Sequence, residues 1–181
     1  DEERFAPGEH PLEGAGDVQA LPTPEALNKK AKDLATESGI SSLLGDYVTR
    51  CLFSKQWSLR DAAFAKVKMS LEDGIYGEVS QCGNTVIAVI KVGVEDKMGQ
   101  VMGSALSLQE SLLERGAAER ASKSDLAKFE AVIGSLLEKL NDGNTRNRES
   151  SMKGLKTLAK AKVVGAPVVC RGALQPLTSK L

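Results

Sequence analysis

Between Pro24 and Pro167 the chain runs for 142 residues without a proline, whereas Pro7, Pro11, Pro22 and Pro24 crowd into its first 24 residues. Proline removes a backbone donor and its ring clashes with the preceding helical turn, so a stretch this long without one is free to form helix after helix. Composition agrees, because Ala and Leu together supply 42 of the 181 residues. The only aromatic residues are Phe5, Phe53, Phe64, Phe129, Tyr47, Tyr76 and Trp57. A chain with 41% apolar and 27% charged residues describes one domain with a continuous core.

Hydrophobic periodicity divides the proline-free stretch into helices. Thr23 followed by Pro24 reads as an N-cap with proline at the first helical position, opening a helix through Leu27 and Leu34. A second helix is expected from about Ile40 to Phe53, with Leu43, Leu44, Tyr47, Val48 and Leu52 on its apolar face. Ser58 and Asp61 read as a capping box for the third, whose Leu59, Ala63, Val67 and Leu71 recur at helical spacing. Val86 to Val94 has six β-branched residues in nine and suits a buried strand equally well. Topology selects helix, since a lone strand among helices has no ladder partner. Further helices follow from Met102, Ala105, Leu106, Leu112 and Leu113, then from Leu126, Phe129, Ile133, Leu137 and Leu140 after a Ser122/Asp125 cap, and from Met152, Leu155 and Leu158.

These helices come in pairs, and the pairs repeat. Ser54-Lys55-Gln56-Trp57-Ser58-Leu59-Arg60 aligns with Asp96-Lys97-Met98-Gly99-Gln100-Val101-Met102 and with Asp142-Gly143-Asn144-Thr145-Arg146-Asn147-Arg148, at steps of 42 and 46 residues. Phe64, Leu106 and Met152 then coincide, as do Ala63, Ala105 and Ser151. Helical hairpins at a period of roughly 40 to 47 residues are the HEAT/armadillo signature, in which each pair buries its face only by stacking on the next. The expected fold is all-α, an α-solenoid of HEAT-like hairpins with three pairs and a partial fourth from Val163 onward.

Residues 1–22 read as an acidic linker with Pro and Gly, too poor in large apolar groups to fold alone, leaving residues 23–181 as the domain. Seven acidic residues and one Arg lie between Asp1 and Glu25, so the remainder carries a net +6. That density favours an acidic partner surface but is far below that of a nucleic-acid binder. His10 is the sole histidine and reads as a solvated residue of the linker, so neither a His-based metal site nor a catalytic triad can be assembled. Cys51, Cys82 and Cys170 are widely spaced and odd in number, which fits free thiols in a reducing compartment. No apolar run approaches the roughly 20 residues needed to cross a bilayer, and the acidic start is unlike a signal peptide. The expectation is a non-enzymatic, soluble intracellular module without metal or cofactor, bound neither to nucleic acid nor to membrane.

Three smaller patterns fall away. Gly99-x-x-x-Gly103 has neither a preceding strand nor a following Gly-Lys-Ser, so close helix packing is expected there instead of a phosphate loop. Glu72-Asp73 and Glu95-Asp96 are expected to be solvated at helix ends. Ser179-Lys180-Leu181 spells a peroxisomal address only at a true C-terminus, and the repeat pattern argues that the chain is cut within a domain.

Stacking puts the loops inside the pairs along one edge, and the first of them holds the only Trp of the chain beside Lys55 and Arg60. Trp57 is either an exposed anchor or a cap folded over the end of the first pair. The pattern Ser-Lys-x-Trp-x-x-Arg-x-x-Ala at residues 54–63, with Asp-x-Asn-x-x-x-Arg at 142–148, resembles the tubulin-binding TOG domain family over residues 23–181. More narrowly, Leu21-Pro22, the phrase Ser54 to Ala62 and the order of helices are similar to the TOG-like domains of ciliary-tip centrosomal proteins of the one-hundred-and-four kDa class.

That resemblance implies a ridge of loops set against αβ-tubulin, built from Lys55, Trp57, Lys97, Met98, Asn144 and Arg146. Arg60 and Arg148 lie inside the second helices and are expected either to join the ridge or to pair with acidic residues of a neighbouring repeat. It also implies action at the microtubule plus end or ciliary tip, a place in the cytoskeleton, at the cilium tip or centriole, and companionship with other ciliary-tip or centriolar proteins. Asn147 stands where the family has Val, so this helix start is expected to be less buried. Family domains run to about six pairs, so the domain is expected to be incomplete at its C-terminus. The alternative is a HEAT-type scaffold that takes a peptide on its concave face, with Trp57 buried.

Overall fold

The computed structural model describes residue 5 and residues 8–178, and within them it is all helical. A single 3-10 turn at Val18–Ala20 precedes eight α-helices: α1 Lys29–Glu37, α2 Ile40–Leu52, α3 Trp57–Glu72, α4 Val79–Val94, α5 Gly99–Ala118, α6 Phe129–Lys139, α7 Thr145–Lys160 and α8 Ala166–Thr178. Helices α2/α3, α4/α5 and α6/α7 form antiparallel pairs, α8 begins the partial fourth, and α1 leads into the first. The first helices stack in the order α2, α4, α6, α8 and the second in the order α3, α5, α7, so one core runs through the layer between them. Val86 to Val94 lies inside α4, with Val86, Ile87, Val89, Ile90 and Val94 buried. Here burial against neighbouring helices overrides the β-branched preference for strand.

Repeat-equivalent positions explain how the pairs interlock. Phe64 of α3 is buried against Gly93 of α4, where an added Cβ would stand 2.4 Å from the ring, and Leu106 of α5 packs likewise on Gly154 of α7. Met152, the third member of the series, is 44% exposed, which corrects its assignment to the core. Phe64 and Leu106 thus pack toward the pair that follows, whereas Met152 stays exposed. The α7 core face is instead Asn147, Ser151, Gly154, Leu155 and Leu158.

Several local expectations are corrected. Residues 23–28 are not helical, and the cap of α1 is Asn28, whose side chain accepts from the Ala31 N–H at 2.9 Å. Ser58 and Asp61 make no capping box: Gln56 is the N-cap of α3, and Asp61 accepts from Ser104 of α5 at 2.5 Å, tying two second helices together. Ser122 and Asp125 do cap each other, but α6 proper starts at Phe129 after a series of turns. Gly103 faces open space, so close packing accounts only for Gly99, where a Cβ would stand 3.0 Å from Asn147. Asn147 itself is buried, contrary to expectation, and donates to Asp142 at 3.2 Å.

Residues 8–22, read as a linker, lie against the first pair. Leu12 is fully buried in the core, and the Glu13 carbonyl accepts from Lys66 of α3 at 3.0 Å. His10 is half-buried, not a free tail residue: its Nδ1 accepts from the Leu12 N–H at 3.1 Å and its Nε2 meets the Tyr47 hydroxyl at 3.3 Å, with Phe5 edge-on to both rings. A few well-placed apolar groups dock this stretch although its overall composition is polar. Ser179-Lys180-Leu181 lies outside the described residues.

Candidate functional site: the loop ridge

The loops inside the pairs share one hydrogen-bonded plan. At the first aligned position an oxygen of the side chain accepts from the backbone N–H two residues on: Ser54 from Gln56 at 3.1 Å, Asp96 from Met98 at 2.8 Å, Asp142 from Asn144 at 2.8 Å. The accepting turn halts the chain after the first helix of the pair and starts the second one residue later. Gln56, Met98 and Asn144 are accordingly the three N-caps, with φ of −79°, −87° and −87°. Trp57, Gly99 and Thr145 are the three first helical residues.

Arginine at the seventh aligned position grips the loop from behind. Arg60 donates from Nη1 to the carbonyls of Ser54 (2.8 Å) and Lys55 (3.0 Å); Arg148 repeats this on Asp142 (2.7 Å) and Gly143 (3.1 Å). Arg148 also donates to Thr145 Oγ1 at 2.8 Å, so its partners lie within its own loop. Arg60 reaches further. Its Nε and Nη2 donate to both oxygens of Asp96, at 2.6 and 3.0 Å, joining the first loop to the second. A bidentate pair with side chains only 16% and 8% exposed fixes direction as well as distance. The second loop has buried Met102 where the others have arginine, and it is held from both sides instead: by Arg60 and by Lys139 of α6, which donates to the Asp96 carbonyl at 2.9 Å. Lys139 also pairs with Asp142 at 3.4 Å, which brings in the third loop. Asp96 is thus an internal strut, correcting its reading as a solvated carboxylate, while Glu72 and Glu95 accept from Ser111 and Ser135 at 2.7 Å.

On the outer lip of this framework stand Lys55, Trp57, Lys97, Met98, Asn144 and Arg146, all exposed along one edge. Trp57 is 45% and Met98 40% exposed, two large apolar side chains turned to solvent in adjacent loops. Asn144 has a structural duty too, since its side chain accepts from the Arg146 N–H at 2.9 Å and caps α7. Lys160 and Lys162 lie at the opposite edge, where α7 turns toward α8. That edge is fastened by Arg115, which bonds the Leu71 and Gly77 carbonyls, and by Glu119, which accepts from the Val79 N–H at 2.6 Å.

Two carboxylates behind the ridge are held below the ordinary carboxylate pKa, and so are more acidic than usual. The Lys55 N–H lowers Glu25, partly opposed by burial and reinforced by Ser54. The Asn144 N–H and the Asn147 amide lower Asp142. Sequence reasoning missed the struts Asp96, Lys139 and Glu25. For Asp96 a signal existed, because it aligns with Ser54 and Asp142 in the repeat register; Glu25 lies 29 residues before its partner Ser54 and gave none. Among the described residues no group of three His, Cys, Asp or Glu could hold a metal ion, and no helix is long and apolar enough to cross a membrane.

Comparison with known proteins bears on what such a ridge belongs to. Two solved structures share the fold. The TOG domain of human Cep104 superposes with a TM-score of 0.70 at 23% identity, over 80% of this chain and 57% of that one. A second CEP104 TOG domain structure gives 0.67 at 22% identity, over 78% of this chain and 57% of that one. The chain therefore spans just over half the length of the structures it matches. No curated protein matches the sequence significantly. The family model for the TOG domain of centrosomal protein CEP104 matches residues 36–181, which is most of the chain. On that match, the chain belongs to the CEP104 TOG-domain family.

Proposed function

We propose that this chain is a tubulin-binding module that sets its loop ridge against the αβ-tubulin heterodimer, in a protein acting at the microtubule plus end or ciliary tip. The observation that carries the reading is the exposure of Trp57 and Met98 in neighbouring loops that their own turns and the Arg60–Asp96 pair hold in place. Leaving a Trp and a Met in water on a rigid edge is costly unless a partner covers them, and a central aromatic ringed by charge is the usual build of a binding hot spot. Lys55, Lys97 and Arg146 supply that ring and suit an acidic partner, steering encounter as well as holding it. The framework pre-pays the ordering of the loops, so binding need not fold them.

The scaffold alternative, with a peptide on the concave face, requires Trp57 to be buried, and its exposure favours the ridge. The test is co-elution of the purified chain with αβ-tubulin on a sizing column, repeated with Trp57→Ala. Loss of the complex with retained helicity and melting supports the reading. A folded Trp57→Ala that still shifts tubulin refutes it.

A further inference from the structure

We propose that Glu25, from the segment ahead of α1, is a positioning residue for the first ridge loop, supplying the carboxylate that the second and third loops carry within themselves. The role in binding rests on the tubulin reading above; the ordering of the loop does not. In loops two and three the turn is built on an aspartate, Asp96 or Asp142. In loop one the same position is Ser54, a neutral hydroxyl. Its Oγ accepts from the Gln56 N–H at 3.1 Å and its hydroxyl donates to Glu25 Oε2 at 2.7 Å. The other oxygen, Oε1, accepts from the Lys55 N–H at 2.6 Å. The negative charge at this turn is therefore contributed by a residue 29 positions upstream of Ser54.

Glu25 is itself well placed to act as a fixed clamp. Pro24 before it is buried, and its carbonyl accepts from Arg50 Nη1 at 3.0 Å; Arg50 is in turn bonded to Asp46 at 2.8 Å. Three residues later Asn28 caps α1. The backbone on both sides is thus anchored, while the carboxylate reaches the loop that presents Lys55 and Trp57. A charge-assisted bond to a backbone N–H is about twice as strong as a neutral one, and the Lys55 N–H holds the Glu25 carboxyl below its ordinary pKa, so the loop favours the ionised form. Glu25 lies ahead of residue 36, where the family match begins, while its partners Ser54 and Lys55 lie within that match.

The test uses the full chain, with three variants: Glu25→Gln, Ser54→Asp, and the two combined. Hydrogen exchange at the Lys55 amide and fluorescence anisotropy of Trp57, the only Trp, read the loop directly. Glu25→Gln should speed Lys55 exchange about tenfold or more and lower Trp57 anisotropy, while exchange within α5 and α7 is unchanged. Affinity for purified αβ-tubulin should fall by about three- to tenfold, the share of a charge-assisted bond felt through loop order. Ser54→Asp alone should also loosen the loop, because it sets two carboxylates together, yet in the Glu25→Gln background it should restore order and affinity. That reversal separates positioning from mere destabilisation. If Lys55 exchange and Trp57 anisotropy do not respond to Glu25→Gln, the clamp is refuted. If they respond but tubulin affinity of a binding wild type does not, the positioning role is refuted while the ridge reading stands. A wild type that ignores tubulin overturns the ridge reading alone, and the two spectroscopic readouts still decide the clamp.

Discussion

Loops one and three are built on the same hydrogen bonds and present different chemistry. Each has an accepting side chain at its first position, an N-cap two residues later and an arginine gripping two carbonyls from the helix behind. Loop one puts Trp57 at the first helical position, where loop three has Thr145. Loop one also borrows its carboxylate from Glu25, whereas loop three owns Asp142. The difference teaches that the plan of the loop and the identity of its lip are largely independent: most framework groups bond loop backbone and most lip residues face solvent, Asn144 alone among the lip residues also capping a helix with its side chain. Substitutions can therefore be sorted by which of the two they touch.

The largest effect is expected where the framework crosses between loops. Asp96→Ala strands Arg60, half of a largely buried bidentate pair, and should cost about 3 kcal/mol of unfolding free energy by chemical denaturation. Asp142→Ala should move the same midpoint less, because Arg148 bonds the Asp142 backbone carbonyl and not its carboxylate. Equal losses would show that the cross-loop pair adds nothing to the shared plan.

Next comes the lip. Trp57→Ala should weaken tubulin binding by about 2 kcal/mol with an unchanged melting curve, because the side chain is half exposed, while Thr145→Ala should change affinity by under about 0.5 kcal/mol. Lys97→Glu should give a smaller loss, strongest at low salt, since an exposed cation acts through screened attraction. Reversing Lys160 and Lys162 together on the opposite edge should leave titrations with tubulin unaltered. A salt response shared by both edges would reduce the ridge to nonspecific charge.

The smallest effect is a titration. Glu25 and Asp142 are both more acidic in the folded chain than usual, so each contributes stability that is present above the unfolded value and lost as pH falls through the folded one. Loop one should therefore loosen as pH falls below the ordinary glutamate range, seen as a drop in Trp57 anisotropy before the helices melt. A flat anisotropy in that range would mean that Glu25 does not hold the loop.

Much of this was legible from residue order. Proline placement and the 42- and 46-residue steps determine a helical repeat, because periodic apolar residues can be buried only by stacking pair on pair. The same register places Ser54, Asp96 and Asp142 at one structural position and puts Lys55, Trp57, Lys97, Met98, Asn144 and Arg146 on one edge. What tertiary structure decided were matters of who meets whom across the chain. Trp57 and Met152 stand in water, Asn147 and Leu12 are buried, and the expected caps at Thr23 and Ser58 give way to Asn28 and Gln56. Asp61, Asp96 and Glu25 prove to be cross-links to Ser104, Arg60 and Lys55. Helical period is a local property that side-chain spacing encodes directly. A carboxylate's partner 29 or 36 residues away depends on the stacking of pairs, which brings together residues that no spacing rule connects.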